Sequence, residues 1–325
     1  MKAAIIDAYG APDVLKIKEV PKPEINDNEV LVKIKSVAVT AADSRIRGAR
    51  FPKGFGFFAR IFFGVIKPRI NILGSTFSGV IEEVGDNVTT VRIGDEVCGM
   101  TGVRMGCYAE YIKISKPNNL VRKPMKVSHE EAAGVLFGGT AALYFIRDKL
   151  DVKNKDEVII NGASGAVGTN AVQLAKYFGA NVTAVTSGSN AKIVRELGAD
   201  NIIDYTKQDL AYSKKRYDVV LDTVGNISPL LAKKMLRENG RAGLMAASLG
   251  DTLRARGPVK TGAATEKKKD IEFLFSLMEQ GFLRTVIDRE YDFGDIVEAH
   301  EYVDSGQKTG NVILCFDQQG RLKIK

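Results

Sequence analysis

Hydrophobic and polar positions follow a strand-like pattern in the first third of the chain. Residues 29–39, EVLVKIKSVAV, alternate apolar and polar side chains, which is typical of a strand with one buried face. Residues 77–100 predict two or three short strands, separated by turns at Gly85-Asp86-Asn87 and at Gly94-Asp95. We therefore expect residues 1–120 to be β-rich and irregular.

From about residue 125, short apolar runs alternate with helical segments. The run VIIN at 158–161 precedes a predicted helix at 166–178, and VTAVT at 182–186 precedes a predicted helix at 190–197. A further helix is predicted at 228–238. This alternation predicts a parallel sheet that is covered by helices on both faces. After residue 262, two helical segments lead to a last strand, NVILCF.

Composition indicates a folded protein that works inside the cell. With 325 residues, 45% of them hydrophobic and 26% charged, the chain is long enough for two domains. The first residues, MKAAIIDAYGAPD, lack the pattern of a secretory leader, and we find no apolar run that could span a bilayer. Three scattered cysteines fit a reducing cytoplasm. The net charge of +8 is spread along the chain, and we expect no nucleic-acid partner.

A glycine-rich loop separates the first strand and helix of the alternating region. Its sequence fits a dinucleotide fingerprint, Ala163-x-Gly165-x-x-Gly168, in which the middle glycine admits a pyrophosphate and the last allows close packing of the helix on the strand. A tight turn is the alternative, but a strand before, a helix after and a second strand at the expected distance favour a phosphate cradle. The candidate contacts are Ala163, Ser164, Gly165, Ala166, Val167 and Gly168.

The end of the second strand indicates which dinucleotide binds. A site for NAD places Asp or Glu there, whereas residues 186–192 read TSGSNAK and contain no acid. The hydroxyls of Ser187 and Ser189 and the ammonium group of Lys192 suit a 2′-phosphate, which points to NADPH. Alternatively, this is a solvated loop in which Ser189 or Asn190 caps the next helix.

With these motifs the chain resembles a known group of enzymes, the medium-chain dehydrogenase/reductase superfamily. Within it, the chain resembles the zinc-free quinone oxidoreductase (zeta-crystallin-like) branch. The likeness covers essentially the full length. The stretches that carry it are MKAAIIDAYGAPDVLKIKEVPKPEINDNEVLVKI, LGSTFSGVIEEVGDNVTTVRIGDEV, GCYAEYIKI, GGTAAL, NGASGAVGTNAVQLAKYFGA, ELGADNIIDY, DVVLDTVG and AHEYVDSGQKTGNVIL.

The resemblance implies an α/β fold with two domains. A GroES-like, β-rich catalytic domain would be formed by both chain ends, residues 1–124 and 263–325. A Rossmann domain, with a doubly wound parallel sheet that binds NADPH, would occupy residues 125–262 between them. Relatives in this branch are commonly dimers, so a homodimer is the expected assembly.

The resemblance also bears on metal binding. Zinc-dependent relatives carry a Gly-His-Glu element where this chain has Gly74-Ser75-Thr76, and their first cysteine ligand falls at Thr40. A hydroxyl cannot replace a thiolate or an imidazole as a permanent zinc ligand. We therefore expect no metal.

Further site residues are implied by matching family motifs. An Asn-x-x-Asp-x-x-x-Arg element reads here as Thr40, Asp43 and Arg47. The hydroxyl of Thr40 thus becomes the candidate catalytic contact to substrate or nicotinamide, whereas Asp43 and Arg47 are interpreted as structural. The implied cofactor contacts outside the glycine loop are Thr140, Tyr205, Thr223, Val224, Met245, Ala246, Lys308 and Asn311.

The implied activity is NADPH-dependent reduction of apolar small molecules, either quinones or α,β-unsaturated carbonyls. Two alternatives stay open: a zinc-free NADP-dependent alcohol dehydrogenase or carbonyl reductase, and a nucleotide- or RNA-binding crystallin-like protein. The aromatic segment 51–68, FPKGFGFFARIFFGVIKP, is interpreted as a loop and short helix that wall the cleft and present phenylalanines to an apolar substrate. A helix on a membrane surface is the alternative.

The absence of zinc ligands gives the first testable prediction. Because hydroxyls stand at Thr40, Ser75 and Thr76, the purified protein should carry no stoichiometric zinc and should keep its activity after chelation. Elemental analysis before and after treatment with a chelator checks this. About one zinc per chain, lost together with activity, would contradict it.

Overall fold

Strands from both ends of the chain share one mixed sheet. The computed structural model describes residues 1–210 and 214–316. Near the start, β1 (Lys2–Ile6) and β2 (Leu15–Glu19) pair antiparallel with each other. The strands of the mixed sheet are β3 (Val30–Val39), β4 (Thr76–Val84), β5 (Glu96–Met100), β6 (Tyr111–Ile114), β7 (Val121–Arg122), β14 (Ile287–Asp292) and β15 (Asn311–Cys315). Their order is β14-β15-β3-β4-β5-β7, and β6 also pairs with β3, so β15 brings the C-terminal part onto the N-terminal strands.

The middle of the chain forms a separate parallel sheet. Its strands are β8 (Glu157–Asn161), β9 (Asn181–Thr186), β10 (Asn201–Asp204), β11 (Tyr217–Asp222), β12 (Leu236–Leu244) and β13 (Val259–Thr261). The order β10-β9-β8-β11-β12-β13 is that of a doubly wound Rossmann sheet, which confirms the predicted fold class. The strand order reverses between β8 and β11, so ligands are expected at the carboxyl ends of these two strands.

Helices begin where small hydroxyl side chains can cap them. Thr40 and Ser128 form capping boxes with the third residue of the helices that follow, and Ser228 and Ser248 cap two further helices. The helices are α1 (Ala41–Arg47), α2 (Gly56–Phe63), α3 (His129–Leu143), α4 (Ala166–Tyr177), α5 (Ala191–Glu196), α6 (Pro229–Met235), α7 (Leu249–Arg254), α8 (Lys268–Glu279) and α9 (Ile296–Asp304).

Helix α3 holds the two sheets together. A Cβ atom at Gly138 would lie 2.4 Å from the carbonyl oxygen of Ala166, at the start of α4. A Cβ atom at Gly134 would lie 2.8 Å from a methyl group of Thr285, just before β14. These glycines weaken the helix intrinsically, but they let its backbone approach elements of both sheets closely.

Two elements differ from the sequence predictions. Helix α6 ends at Met235, whereas the pattern predicted a helix to residue 238, because Leu236 already pairs with Tyr217 of β11 in the parallel sheet. Strand β14, IDREYD, was not predicted, since it lies at the edge of the mixed sheet and carries few buried apolar residues. Part of the predicted C-terminal stretch, residues 317–325, lies outside the described residues.

Asp304, at the end of α9, forms charged contacts with α1 and with the segment that follows α1. It accepts hydrogen bonds from Arg47, Arg50 and the hydroxyl of Ser44, so the end of α9 is tied to α1. The Arg47 side chain is fully buried and also donates to the carbonyl oxygen of Gly10 at 2.8 Å. These contacts agree with the interpretation of Arg47 as structural.

This cluster gives a stability prediction. Replacing Asp304 by Ala leaves the buried guanidinium of Arg47 without its counter-ion, so the free energy of unfolding should fall by about 3 kcal/mol or more. The control is Asp7→Ala, which removes an exposed carboxylate paired with Lys18 and should cost less than about 1 kcal/mol. Chemical denaturation of both variants measures the difference, and equal losses would contradict the structural role of the cluster.

Candidate functional site

The glycine loop joins β8 to α4 by a turn that only small residues allow. Gly162 has φ of 79°, in the left-handed region, and a Cβ atom at Gly168 would lie 2.1 Å from the carbonyl oxygen of Gly162. Gly168 therefore allows the close packing of helix on strand that the sequence predicted. The sequence analysis placed Ala163 at the first position of the fingerprint. In the structure the turn occurs at Gly162, a residue that the analysis did not assign. Its positive φ could not be read from the spacing alone.

Gly165 differs from its neighbours, because the protein itself leaves room beside it. The nearest atom to a Cβ placed there would be the carbonyl oxygen of Gly162, at an ordinary contact distance of 3.5 Å. A larger residue would instead fill the space in front of the helix terminus. No side chain caps α4, so its first backbone N–H groups and the positive end of its dipole face this space. The arrangement fits a pyrophosphate.

The segment before β15 lies against this loop. The backbone N–H of Gly310 donates to the carbonyl oxygen of Ser164 at 2.8 Å, and Gly310 forms a β-bridge with Gly165. The ammonium group of Lys308 donates to the carbonyl oxygen of Gly310 at 2.6 Å, and burial lowers the pKa of this lysine to about 8. Lys308 thus supplies a half-buried basic group beside a space suited to an anion.

Asn190 extends this contact towards the end of β9. Its amide group donates to the hydroxyl of Ser164 at 3.2 Å, and its oxygen accepts from the hydroxyl of Thr309, also at 3.2 Å. The glycine loop, the loop after β9 and the segment before β15 therefore form one hydrogen-bonded unit. Sequence reasoning gave Asn190 only a capping role and did not assign Thr309.

The predicted 2′-phosphate residues lie at the end of β9. The hydroxyls of Ser187 and Ser189 are 2.9 Å apart, and the side chains of Lys192 and Tyr205 are exposed. The sequence gave no acid at this strand end, but the neighbouring β10 brings Asp204 close. Its Oδ2 would lie 2.6 Å from a Cβ placed at Gly188. The hydroxyl of Thr206 donates to Asp204 and holds the pKa of this carboxyl below its ordinary value.

Asp222 organises the loop after β11. Its buried carboxylate accepts hydrogen bonds from the backbone N–H groups of Val224, Gly225 and Ile227 and from the side chain of Asn161. This was missed, because the partners are backbone groups that leave no sequence signal. As a result Val224 is held at the carboxyl edge of the sheet.

The other predicted residues of this edge meet in the same place. The hydroxyl of Thr223 donates to the carbonyl oxygen of Asn161 at 2.8 Å, and the N–H of Met245 donates to the carbonyl oxygen of Asp222 at 2.9 Å. A Cβ atom at Gly225 would lie 2.8 Å from the carbonyl oxygen of Ala246. The ends of β8, β11 and β12 thus form a continuous wall beside the glycine loop.

Thr40 and Asn311 lie next to each other at one end of the β3–β15 pair. Val39 of β3 pairs with Val312 of β15 in antiparallel register, so the residues Thr40 and Asn311 are neighbours at that end. The hydroxyl of Thr40 donates to Asp43 at 2.6 Å and accepts from the backbone N–H of the same residue. The amide of Asn311 donates to the carbonyl oxygen of Val286. Thr40 keeps only an acceptor lone pair while it caps α1.

Thr140 lies within α3 and is 4% exposed. Its hydroxyl donates to the carbonyl oxygen of Leu136 at 2.6 Å, one turn earlier in the helix. Such a bond occupies the donor but leaves an oxygen lone pair. A contact from Thr140 to cofactor stays a prediction.

The donor set at the position of the family's zinc site does not fit zinc. Ser75 and Thr76 are buried hydroxyl residues, and Gly74 lies against Tyr108, whose ring would be 2.6 Å from an added Cβ. Across residues 1–210 and 214–316, no group of three or more His, Cys, Asp or Glu side chains is arranged to hold a metal ion. His129 contacts Ser78 and Glu96, while Lys123 already pairs with that glutamate.

Comparison with known proteins places the chain in a family. A family model described as an alcohol dehydrogenase GroES-like domain matches residues 26–125, and one described as a zinc-binding dehydrogenase matches residues 197–314. The NADPH-dependent alkenal/one oxidoreductase of Arabidopsis thaliana, a chloroplastic protein, is 29% identical and aligns with 97% of this chain and 79% of its own length. The 2-methylene-furan-3-one reductase of Solanum lycopersicum shows the same identity and the same coverage of both chains.

A solved structure agrees over nearly the whole chain. The quinone oxidoreductase from Coxiella burnetii superposes with a TM-score of 0.87 at 28% identity, and the match covers 98% of this chain and 99% of that one. The strand order, the glycine loop and these similarities agree with one another. The chain therefore belongs to the medium-chain dehydrogenase/reductase superfamily, and within it the chain is similar to quinone and alkenal oxidoreductases.

Proposed function

We propose that this protein is a zinc-independent oxidoreductase that uses NADPH to transfer hydride to quinones or α,β-unsaturated carbonyls. The observation that carries the proposal is the open space at Gly165, bordered by the uncapped start of α4, by Gly310 and by the half-buried Lys308. The names of the relatives, an alkenal/one oxidoreductase and a furanone reductase, support the same chemistry.

Residues of the Rossmann half would hold the cofactor along the sheet edge. When bound, NADPH supplies a hydride. The N–H groups at the start of α4 would bind the pyrophosphate, and Ser187, Ser189 and Lys192 would bind the 2′-phosphate. The two phosphate sites would then lie at the ends of the neighbouring strands β8 and β9.

The remaining predicted contacts lie near these phosphate sites. Lys308 would face the pyrophosphate, where a negative charge would raise its pKa above about 8 and favour the ammonium form. Asn311 would approach the nicotinamide half of the cofactor, beside Thr40. Thr223, Val224, Met245 and Ala246 would wall the cofactor at the carboxyl edge, and Thr140 and Tyr205 complete the proposed set.

The proposed substrate class follows from the hydrogen-bonding groups that this chain has at the positions of a metal site. The hydroxyls of Thr40, Ser75 and Thr76 are poor zinc ligands, so hydrogen bonds alone would stabilise negative charge on the substrate oxygen. One such preorganised donor contributes about 3–4 kcal/mol to the stability of a transition state. That is adequate for charge delocalised over an enolate or a quinol, and less so for the localised charge of an alkoxide.

Thr40 could contact the substrate or the nicotinamide in two ways. Its proton is held by Asp43, so it would contact the substrate or the nicotinamide as an acceptor, or would exchange its bond to Asp43 for one to the substrate oxygen. Burial raises the pKa of Asp43, whereas the two hydrogen bonds that it accepts from Thr40 oppose this rise. We propose that solvent supplies the proton that completes the reaction.

The wider organisation belongs to the same proposal. We propose domain boundaries at 124/125 and at 262/263, a homodimer and a cytoplasmic location. The two sheets support the division, because β8 to β13 lie between residues 157 and 261, while strands before and after share the mixed sheet.

Cofactor preference is testable at Ser187. The wild-type protein should prefer NADPH over NADH by roughly ten- to a hundredfold in kcat/KM, since one charge-assisted contact to a phosphate contributes about 1.5–3 kcal/mol. Ser187→Asp should erase or reverse this preference, because its carboxylate would repel the 2′-phosphate and could hold the ribose hydroxyls. Thr90→Asp adds the same charge to an exposed loop between β4 and β5 and should leave the preference intact. Equal use of both cofactors by the wild type would refute the assignment.

Substrate class is tested by comparing conjugated and saturated compounds. We expect reduction of 9,10-phenanthrenequinone or a 2-alkenal with NADPH, and negligible oxidation of ethanol or simple secondary alcohols with NADP⁺. Rates for both sets, measured on one metal-free preparation, separate this function from an alcohol dehydrogenase. Rapid oxidation of a saturated alcohol, with no activity on any enone or quinone, would overturn the proposed function.

A further inference from the structure

The outward face of α2 carries an exposed apolar surface. Phe57, Phe58, Ile61 and Phe62 are spaced so that they share one side of the helix, and their exposed fractions range from 48% to 72%. Val65 and Ile66, which follow the helix, are 57% and 91% exposed. We call these six residues the α2 patch. The segment is a loop and a short helix, as the sequence predicted. That its phenylalanines face a substrate stays a prediction, since an exposed side chain can also line an open cleft.

Contacts on the inner side of α2 hold this face outward. Phe63 stacks on Phe51 with ring centroids 5.9 Å apart, and the hydroxyl of Tyr9 donates to the carbonyl oxygen of Gly64 at 2.9 Å. Gly64 has φ of 120°, and an added Cβ would lie 2.0 Å from the carbonyl oxygen of Lys67, so the turn after the helix requires glycine. The exposed side chains thus belong to an anchored helix.

The charge of the surrounding segment has one sign. Residues 44–70 contain seven Lys and Arg residues and no Asp or Glu. Arg47 is buried, and the remaining six are exposed: Arg45, Arg50, Lys53, Arg60, Lys67 and Arg69. Arg50 is paired with Asp304, and Arg60 lies over the ring of Tyr9 at the rim of the patch. An apolar surface is therefore bordered by cations.

The apolar surface and its surrounding cations together indicate whether the α2 patch binds a second copy of the chain or a lipid bilayer. A second copy of the chain, related by a twofold axis, would bring the same cations against each other, which opposes association. A bilayer with anionic headgroups accepts apolar side chains at the acyl boundary and attracts the surrounding Lys and Arg. Among the described residues, no helix is long and apolar enough to cross a membrane.

We propose that the α2 patch docks this protein on the surface of an anionic lipid bilayer. The bound helix lies in the plane of the interface, with Phe57, Phe58, Ile61 and Phe62 at the acyl boundary and the flanking cations at the headgroups. The segment before α2 also lies near the candidate site, because the N–H of Leu249, three residues after Ala246, donates to the carbonyl oxygen of Lys53 at 2.9 Å. Docking rests on the surface alone and does not depend on the proposed reaction.

Co-sedimentation with vesicles tests the proposal on the full chain. The wild type should bind vesicles of phosphatidylcholine and phosphatidylglycerol at least about tenfold more strongly than pure phosphatidylcholine, since each Lys or Arg near an anionic surface strengthens binding roughly fivefold. High salt should remove most of this difference. The double variants Phe58→Ser/Phe62→Ser and Lys53→Glu/Lys67→Glu should each bind the anionic vesicles at least about tenfold more weakly.

Matched controls separate the patch from general surface effects. Ile93→Ser removes an apolar side chain that is 70% exposed elsewhere, and Lys233→Glu/Lys234→Glu reverses two exposed charges on α6. Both should bind vesicles like the wild type. Thermal unfolding of every variant verifies that it is folded.

A fluorescence measurement provides a second, conservative test. The chain contains no tryptophan, so Phe58→Trp introduces a single reporter in the patch and Ile93→Trp one outside it. Emission should shift to the blue with anionic vesicles for Phe58→Trp alone. Absence of binding, equal binding to neutral vesicles or equal losses in the controls would overturn the proposal. A second outcome would also overturn it: the wild type is a dimer in sedimentation velocity and does not bind vesicles, and the Phe58→Ser/Phe62→Ser variant is a monomer. The α2 patch would then bind a second copy of the chain.

Discussion

The backbone hydrogen bond from Gly310 to Ser164 connects the two halves of this molecule at the point where its chemistry is expected. Gly310 has φ of 73°, and an added Cβ would lie 2.3 Å from the carbonyl oxygen of Val286. Only glycine allows the chain to pass here between β14 and the glycine loop. Strand β15 begins at the next residue and pairs with β3. The bond therefore also determines where Asn311 and Thr40 lie relative to the parallel sheet.

Around this bond, most side chains that could act on a ligand are already engaged with the protein. Thr40 caps α1, Thr140 and Thr223 donate to backbone carbonyl groups, and Asp222 gathers backbone N–H groups. Such bonds fix rotamers before a ligand arrives, which lowers the entropy lost on binding. Donors that remain for a ligand include the backbone N–H groups at the start of α4, the remaining N–H groups of the half-buried Lys308 and exposed hydroxyls, a set suited to an elongated polyanion.

Charge is used in opposite ways in two neighbouring regions. Under α1, Arg47 is buried and held by Asp304 and Gly10, so its charge serves the folded state. A few residues later, the cations around α2 lie at the surface beside exposed aromatic rings. A buried cation requires a partner, whereas an exposed one beside apolar rings is stable in water and attracts an external anion. The same segment thus carries both an internal clamp and a proposed docking surface.

By itself, the sequence determined the features that depend on local order. The period-two alternation located β3, the alternating apolar runs located the parallel sheet, and the spacing around Gly165 and Gly168 located the turn between β8 and α4. The hydroxyl side chains at Thr40, Ser75 and Thr76 are likewise a property of residue identity. Tertiary structure decided the rest, because it brings together residues distant in the chain. Only the fold places Asp204 against Gly188, Gly310 on Ser164 and Asp222 under the backbone of its loop. Exposure of α2 was also a tertiary outcome, since an apolar run has the same pattern whether a neighbour covers it or not.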